Sequence, residues 1–186
     1  MAIIIREATE NDDWDIRNIR RQTWLATYPN EEYGITIEDV ESEFAETSTD
    51  KGRKRAFERH RPDYTNPDFK FLIAKDGEKT VGFFIGKKFQ DYNRLLAIYT
   101  LPEHQGQGVG TALITKGLEW FGSDKDIFVN LAKYNDDAHA FYAKFGFVDT
   151  GKDTSDTHNP LPTGKVIPEI EMVRRASNRQ ENKLLF

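Results

Sequence analysis

The stretch LLAIYTLPEHQGQGVGTALITKGLEWFG, residues 95 to 122, predicts a strand, a glycine-rich turn and a helix in direct succession. Residues 95 to 99 form an apolar run of strand length, which Pro102 closes. Glycines let the backbone approach a ligand, and the first helical turn adds free N–H groups and the positive end of a dipole. The stretch therefore predicts a phosphate-binding site built from backbone. The apolar positions that define the helix are Leu113, Ile114, Gly117, Leu118 and Phe121.

Two common phosphate motifs do not match this turn. The dinucleotide fingerprint requires G-x-G-x-x-G, whereas the glycines here stand at positions 106, 108 and 110. A P-loop requires a lysine between glycine and threonine, but Thr111 follows Gly110 directly. Taken alone, the turn leaves open a plain strand-to-helix connection.

The composition predicts one folded domain with few classes of partner. The chain has 186 residues with 13 Phe, 7 Tyr and 3 Trp, enough aromatic residues to argue against disorder. Its net charge of −5 provides no basic surplus for nucleic acid or an anionic membrane. The absence of cysteine excludes disulfides and thiolate metal sites. No apolar run approaches the roughly 20 residues of a membrane span. We expect a cytoplasmic protein without a membrane or nucleic-acid partner, and a homodimer is compatible with the sequence.

Alternation and helical spacing predict the order β-α-α-β-β-β-α-β-α-β-β. This order describes an α/β protein with a mixed (α+β) sheet and helices on its faces. A single domain is predicted over residues 1–176, followed by a polar tail over 177–186. Within the domain, residues 36–61 form a helical insertion. The predicted strands cover residues 3–5, 69–74, 80–89, 95–99, 126–132, from 147 onward, and 169–173.

The insertion and the residues before it have an uneven charge distribution. Residues 31 to 50 hold acidic side chains and no lysine or arginine, and residues 51 to 61 are mainly basic. One interpretation is a helical hairpin whose charged faces partly neutralise each other. The other is an acidic lip that attracts a cationic acceptor.

A second motif lies in residues 135 to 147, NDDAHAFYAKFGF. Asn135 is a good helix N-cap, and Gly146 is the expected residue after the helix. With the turn Gln105-x-x-Gly108-x-Gly110, this motif resembles the GNAT family of N-acetyltransferases over about residues 3 to 174. The resemblance implies the GNAT-like acyl-CoA N-acyltransferase fold and acetyl-CoA as co-substrate.

The resemblance also implies a cofactor site. The N–H groups of the turn would hold the pyrophosphate of coenzyme A, and the strand before it would pair with the pantetheine arm. One N–H of that strand would polarise the thioester carbonyl, an oxyanion-type role worth about 3 kcal/mol in other enzymes. The implied cofactor-binding residues are Ile98, Tyr99, Thr100, Leu101, Gln105, Gly106, Gln107, Gly108, Val109, Gly110, Thr111, Asn135, Ala138 and Phe141.

Tyr142 matches the family's general acid, which protonates the departing thiolate. Proton transfer from a phenol to a thiolate is uphill by about 2 kcal/mol, which hydrogen bonding in a dry pocket can offset. The alternative is a core tyrosine, because Phe141 and Phe145 share the same helix face. Trp24 and Tyr28 similarly match an element of polyamine acetyltransferases, or form part of the core.

The general base is open. An amine acceptor must lose a proton before attack, and the strand 95–99 holds no carboxylate. The candidates, acting directly or through water, are Glu31, Glu32, Glu169 and Glu171.

The four histidines show no metal-ligand spacing, so no metal is predicted. We expect His104 to be solvated in its loop and His139 to face away from Tyr142, with His60 and His158 isolated.

The predicted function is an N-acetyltransferase that moves an acetyl group from acetyl-CoA to a primary amine of a small molecule, polyamine-like or other, or of a peptide. The alternative is a catalytically silent acyl-CoA-binding sensor.

Overall fold

A computed structural model describes residues 3–155 and 160–177, and within these residues the strands form one mixed sheet. The strands are β1 (Ile4–Glu7), β2 (Phe69–Asp76), β3 (Lys79–Lys88), β4 (Asn93–Thr100), β5 (Ile127–Ala132), β6 (Val148–Asp153) and β7 (Glu169–Arg174). Their spatial order is β1-β2-β3-β4-β5-β7-β6. Only β4 and β5 pair in parallel, since all other neighbours are antiparallel. The predicted mixed sheet is confirmed.

Five α-helices lie in the described part of the chain, one more between β1 and β2 than the predicted order contains. Two threonines divide the 36–61 segment, because each caps a new helix. Thr36 Oγ1 accepts from the N–H of Asp39, and Thr49 Oγ1 accepts from the N–H of Gly52, both at 3.1 Å. The helices are α1 (Asp13–Thr27), α2 (Ile37–Ser42), α3 (Asp50–His60), α4 (Val109–Phe121) and α5 (Asp136–Lys144).

Helices cover both faces of the central strands, which explains why these strands are apolar on both sides. On one face α4 packs so closely that a Cβ atom at Gly117 would lie 2.3 Å from the ring of Phe84. On the other face, Ile16 and Ile19 of α1 pack with the fully buried Phe83. The two faces are called the α4 face and the α1 face below.

The acidic residues of the insertion contact the arginines of α1 as well as the basic run that follows them. Arg21 contacts Glu41 at 2.5 Å and Arg20 contacts Glu43 at 3.3 Å. Arg59 contacts Glu46 at 3.1 Å, so the charge neutralisation expected within the insertion is present only in part. Exposed pairs of this kind contribute little stability.

Among the described residues, no helix has the length and apolar character needed to cross a membrane. Of the predicted polar tail, only Ser177 is described, and residues 178–186 lie outside the described part.

Candidate active site

The central parallel pair of strands separates shortly after it begins. β4 and β5 are in register only at Asn93↔Ile127 and Arg94↔Phe128, although β4 continues to Thr100 and β5 to Ala132. Beyond Arg94, the edge of β4 that faces β5 is free of strand pairing. We call this opening the strand fork. A strand edge of this kind can pair with an extended ligand that carries amide groups.

A β-bulge at Leu96 sets the orientation of the side chains in the fork. The register passes from Gly86↔Leu95 to Ile85↔Ala97, so Leu96 is the extra residue, and it is 46% exposed. Regular alternation would place Leu95 and Tyr99 on the same face. Because of the bulge, Leu95 packs on the α4 face while Tyr99 packs on the α1 face. The predicted strand 95–99 is confirmed, but the bulge has no signature in the sequence.

The glycine turn, residues 105–110, lies where β4 leads into α4. Gly106 has φ +72° and Gly108 has φ +85°, and a Cβ atom at either position would meet nothing within 4 Å. These glycines are therefore required by backbone conformation and not by lack of space. Ala112 N–H bonds to Gly108 O at 2.9 Å, whereas the N–H groups of residues 106–111 donate to no group in residues 3–155 and 160–177.

Helix α5 follows β5, the second strand of the fork. Asn135 Oδ1 accepts from the N–H of Ala138 at 3.0 Å, so the predicted N-cap is confirmed. A Cβ atom at Gly110 would lie 3.4 Å from the ring of Phe141. The start of α4 therefore touches α5. The predicted cofactor residues of the strand and the glycine turn are continuous along the chain, and α5 contacts the start of α4 through Phe141. The roles of these residues in binding stay a prediction.

Tyr142 is 6% exposed and lies between two aromatic rings. Its ring centroid is 5.5 Å from that of Phe141 and 5.6 Å from that of Phe147. Burial raises the pKa of Tyr142 far above its ordinary value, and the electrostatic interaction with the neighbouring Tyr99 raises it further. The phenol is therefore protonated at neutral pH, the form that a general acid requires. Its hydroxyl makes no hydrogen bond within the described residues, as both the acid and the core interpretation allow.

A hydrogen-bonded aromatic cluster stands on the α1 face beside the fork. Tyr99 Oη accepts from Trp24 Nε1 at 2.9 Å and lies 3.0 Å from Tyr28 Oη. Tyr134 Oη donates to the carbonyl of Tyr28 at 2.7 Å. We call Trp24, Tyr28, Tyr99 and Tyr134 the aromatic cluster. Burial raises the pKa of Tyr28 and of Tyr99, so both are neutral. The sequence signalled only Trp24 and Tyr28, through their helical spacing and their match to an element of polyamine acetyltransferases.

The carboxylate candidates have different environments. Glu169 begins β7 opposite Ala132, and its charge contributes to the raised pKa values of Tyr28, Tyr99 and Tyr134. Glu169 therefore lies near the aromatic cluster.

The other candidates lie in less suitable places. Glu31 and Glu32 are exposed in the turn that the Asn30–Ile35 bridge closes. Glu171 is buried, and its carboxylate forms an ion pair with Arg94 at 3.1 Å. We interpret this ion pair as structural.

The expectation that His104 is solvated is wrong. Its side chain is only 14% exposed and faces Asp76 at the end of β2. His60 is exposed near Asp63, His139 lies partly buried on α5, and His158 lies outside the described residues. Among residues 3–155 and 160–177, no group of three or more histidine, aspartate or glutamate side chains is arranged to hold a metal ion.

A family model described as the acetyltransferase (GNAT) family matches residues 14–147. The chain belongs to this family of acetyl-CoA-dependent N-acetyltransferases. The predicted enzyme class and the predicted co-substrate, acetyl-CoA, are confirmed. No protein with a curated description matches the chain by sequence.

Solved structures share the fold at low identity. The PaiA N-acetyltransferase from Thermoplasma acidophilum in complex with coenzyme A has a TM-score of 0.66 at 21% identity, covering 94% of this chain and 99% of its own. A spermidine N-acetyltransferase SpeG chimera from Vibrio cholerae and hSSAT has a TM-score of 0.66 at 18% identity, covering 97% and 99%. YncA from Salmonella typhimurium, a putative acetyltransferase with its cofactor acetyl-CoA, has a TM-score of 0.65 at 15% identity, covering 95% of each chain.

Proposed function

We propose that the protein transfers the acetyl group of acetyl-CoA to a primary amine of a small molecule or peptide by direct attack on the thioester. The observation that carries this proposal is the strand fork, with the N–H groups of residues 106–111 at one end and the buried Tyr142 beside it. In this arrangement no side chain acts as a covalent nucleophile. The amine attacks the carbonyl carbon and the thiolate of coenzyme A leaves.

The donor side uses backbone groups. The glycine turn binds the diphosphate, because its N–H groups and the α4 dipole supply positive charge without a basic side chain. The free edge of β4 pairs with the amides of the pantetheine arm. An N–H of residues 98–101 donates to the thioester oxygen as negative charge develops there, a contribution of about 3 kcal/mol in other enzymes.

Tyr142 is the general acid in this proposal. The raised pKa keeps its proton in place at neutral pH but makes proton transfer to the thiolate more uphill. Because the phenol has no competing hydrogen bond in the described structure, its proton is available to the sulfur. A hydrogen bond to a thiolate in a dry site is stronger than in water, and this offsets part of the mismatch.

Glu169 is the proposed base, acting directly or through a water molecule. It lies near three tyrosines of the aromatic cluster, whereas Glu31 and Glu32 stand exposed in a turn. The aromatic rings and this single carboxylate suit a cationic amine, which they attract before it loses its proton. The spermidine enzyme of similar fold acts on such an amine, which supports this substrate class for our chain.

The proposal is tested by incubating the protein with acetyl-CoA and a panel of polyamines, amino sugars and peptides with free N-termini, while free coenzyme A thiol is measured. We expect thiol release with at least one amine and its loss in Glu169→Gln. Coenzyme A binding without thiol release across the whole panel would favour the silent acyl-CoA-binding sensor instead. Absence of coenzyme A binding would contradict both functions.

A further inference from the structure

His104 directly precedes the glycine turn, and its side chain is enclosed. Its Nε2 atom lies 3.8 Å from Asp76 Oδ2, and its Nδ1 atom lies 3.9 Å from Glu103 Oε1. His104 Nδ1 and Asp76 Oδ1 are both buried without a hydrogen-bond partner among the described residues. Two buried polar atoms without partners are costly, so this contact is not an ordinary surface pair.

A second charged contact joins the same two segments. Lys79 Nζ lies 2.9 Å from Glu103 Oε1, and Lys79 faces Asp76 across the tight turn between β2 and β3. Lys79 is the main cause of the lowered pKa of Glu103, and His104 contributes to it. Two neighbouring residues of the loop after β4 are thus held by the β2–β3 turn.

The same loop determines where the N–H groups of the glycine turn point. Gln105 Nε2 donates to Thr100 O at 3.3 Å, and Gln107 Nε2 donates to Glu103 O at 2.8 Å. These bonds connect the turn to β4 and to the residue beside His104. A shift of residues 103 and 104 would therefore move the N–H groups that follow.

We propose that His104 is a positioning residue, which with Asp76 fixes the glycine turn against the β2–β3 turn, and that its charged form strengthens coenzyme A binding. The inference rests on the proposed placement of the diphosphate at residues 106–111. Protonation of His104 converts its approach to Asp76 into an ion pair and adds a positive charge near the diphosphate.

Several charged groups lie near His104 or on the segments that face it. Asp76 and Glu103 approach its ring at 3.8 and 3.9 Å, and Lys79 contacts Glu103. Lys75 bonds to Thr80 on the same β2–β3 hairpin. Asp15 of α1 accepts from Thr80 Oγ1 at 2.5 Å at the same end of the sheet. This group contains both acidic and basic side chains. A variant that removes only the charge of His104 therefore changes the electrostatic field at the glycine turn.

The test is calorimetric titration of dephospho-CoA between about pH 8 and about pH 5.5, where histidine ordinarily changes charge. Dephospho-CoA is used because the terminal phosphomonoester of coenzyme A itself titrates near pH 6. The variants are His104→Asn and Asp76→Asn. His60→Asn is the matched control, since His60 is an exposed histidine on α3.

We expect wild-type affinity to rise about tenfold toward acidic pH, the effect of one charge-assisted contact. His104→Asn and Asp76→Asn should weaken binding and flatten this profile, with kcat at saturating acetyl-CoA within about twofold of wild type. His60→Asn should keep the full profile. Melting temperatures at each pH establish that the variants are folded.

Two failures are distinguishable. If the wild-type protein binds neither coenzyme A nor dephospho-CoA at any pH, the proposed function fails. If wild-type protein binds but both His104→Asn and Asp76→Asn retain its affinity and pH profile, His104 does not position the turn. A lower melting temperature with an unchanged profile would assign it a purely structural role and overturn the inference.

Discussion

The proposed donor side and the proposed acceptor side of the site are built in different ways. The donor side is one continuous stretch, in which β4, the glycine turn and α4 follow each other along the chain. It offers backbone N–H groups and a free strand edge. The acceptor side is assembled from side chains that lie far apart, since Trp24 and Tyr99 are separated by 75 residues. In the proposed function, the cofactor is therefore bound mainly by backbone groups, and the acceptor amine is bound by side chains.

Tyr142→Phe tests whether Tyr142 is the general acid of the reaction between the donor side and the acceptor side. We expect kcat to fall about a hundredfold, the lower range for loss of a general acid. Coenzyme A affinity should stay near wild type, because the proposed cofactor contacts are made by backbone groups. Pre-steady-state thiol release and calorimetry measure the two quantities separately. The matched control is Tyr64→Phe, which removes a hydroxyl bonded to Asp13, outside the aromatic cluster. Equal activity in Tyr142→Phe would leave Tyr142 as a core residue.

Gly108→Ala tests the backbone nature of the donor side. Gly108 has φ +85° as the residue before α4, and alanine there costs about 1–2 kcal/mol of strain. A turn that relaxes to relieve the strain moves its N–H groups, so we expect about tenfold weaker coenzyme A binding. Gly122→Ala is the control, since Gly122 has φ +77° at the other end of α4 and open space around it. This control should lower the melting temperature and leave coenzyme A affinity unchanged. Equal affinity loss in both variants would indicate a general effect on α4.

Because the donor side is continuous in the sequence and the acceptor side is not, the sequence predicts the two sides to different extents. Gly106, Gly108 and Asn135 belong to short local motifs, and the structure gives them the expected turn and N-cap conformations. The bulge at Leu96 depends on the register with β3, which no local pattern encodes. The burial of His104 depends on Asp76, which the pairing of β2, β3 and β4 brings to the loop. Local conformation was therefore predictable, whereas contacts made through sheet pairing were not.

Tyr99→Phe tests the acceptor side at its most connected residue. The variant removes the hydroxyl that accepts from Trp24 and contacts Tyr28, leaving the indole N–H without that acceptor. We expect a loss of about 1 kcal/mol in the free energy of unfolding, the ordinary worth of a buried hydrogen bond. The KM for the amine should rise severalfold while the KM for acetyl-CoA stays unchanged. An increase in the KM for acetyl-CoA alone would place the Tyr99 hydroxyl on the donor side.

The smallest effect is expected at the start of α1, which holds the acceptor side to the sheet. Asp12 accepts from Arg6 at 2.7 Å and from the N–H of Thr9 at 2.8 Å, and these contacts lower its pKa to about 2. A lowered carboxyl pKa stabilises the fold above the pKa of the unfolded chain, about 3.9, and this contribution is lost as the pH falls toward about 2. Asp12→Asn should therefore lower the free energy of unfolding by about 1 kcal/mol at neutral pH. The expected loss is small because Arg6 is partly exposed and solvent screens the ion pair. The difference from wild type, measured by urea unfolding, should shrink below about pH 4.

The control is Glu41→Gln, which removes an exposed partner of Arg21 and should leave the free energy of unfolding almost unchanged across the same pH range. If both variants leave coenzyme A affinity unchanged, the donor side does not depend on how firmly α1 is held. A loss of that affinity in Asp12→Asn would mean that the two sides are coupled through the sheet.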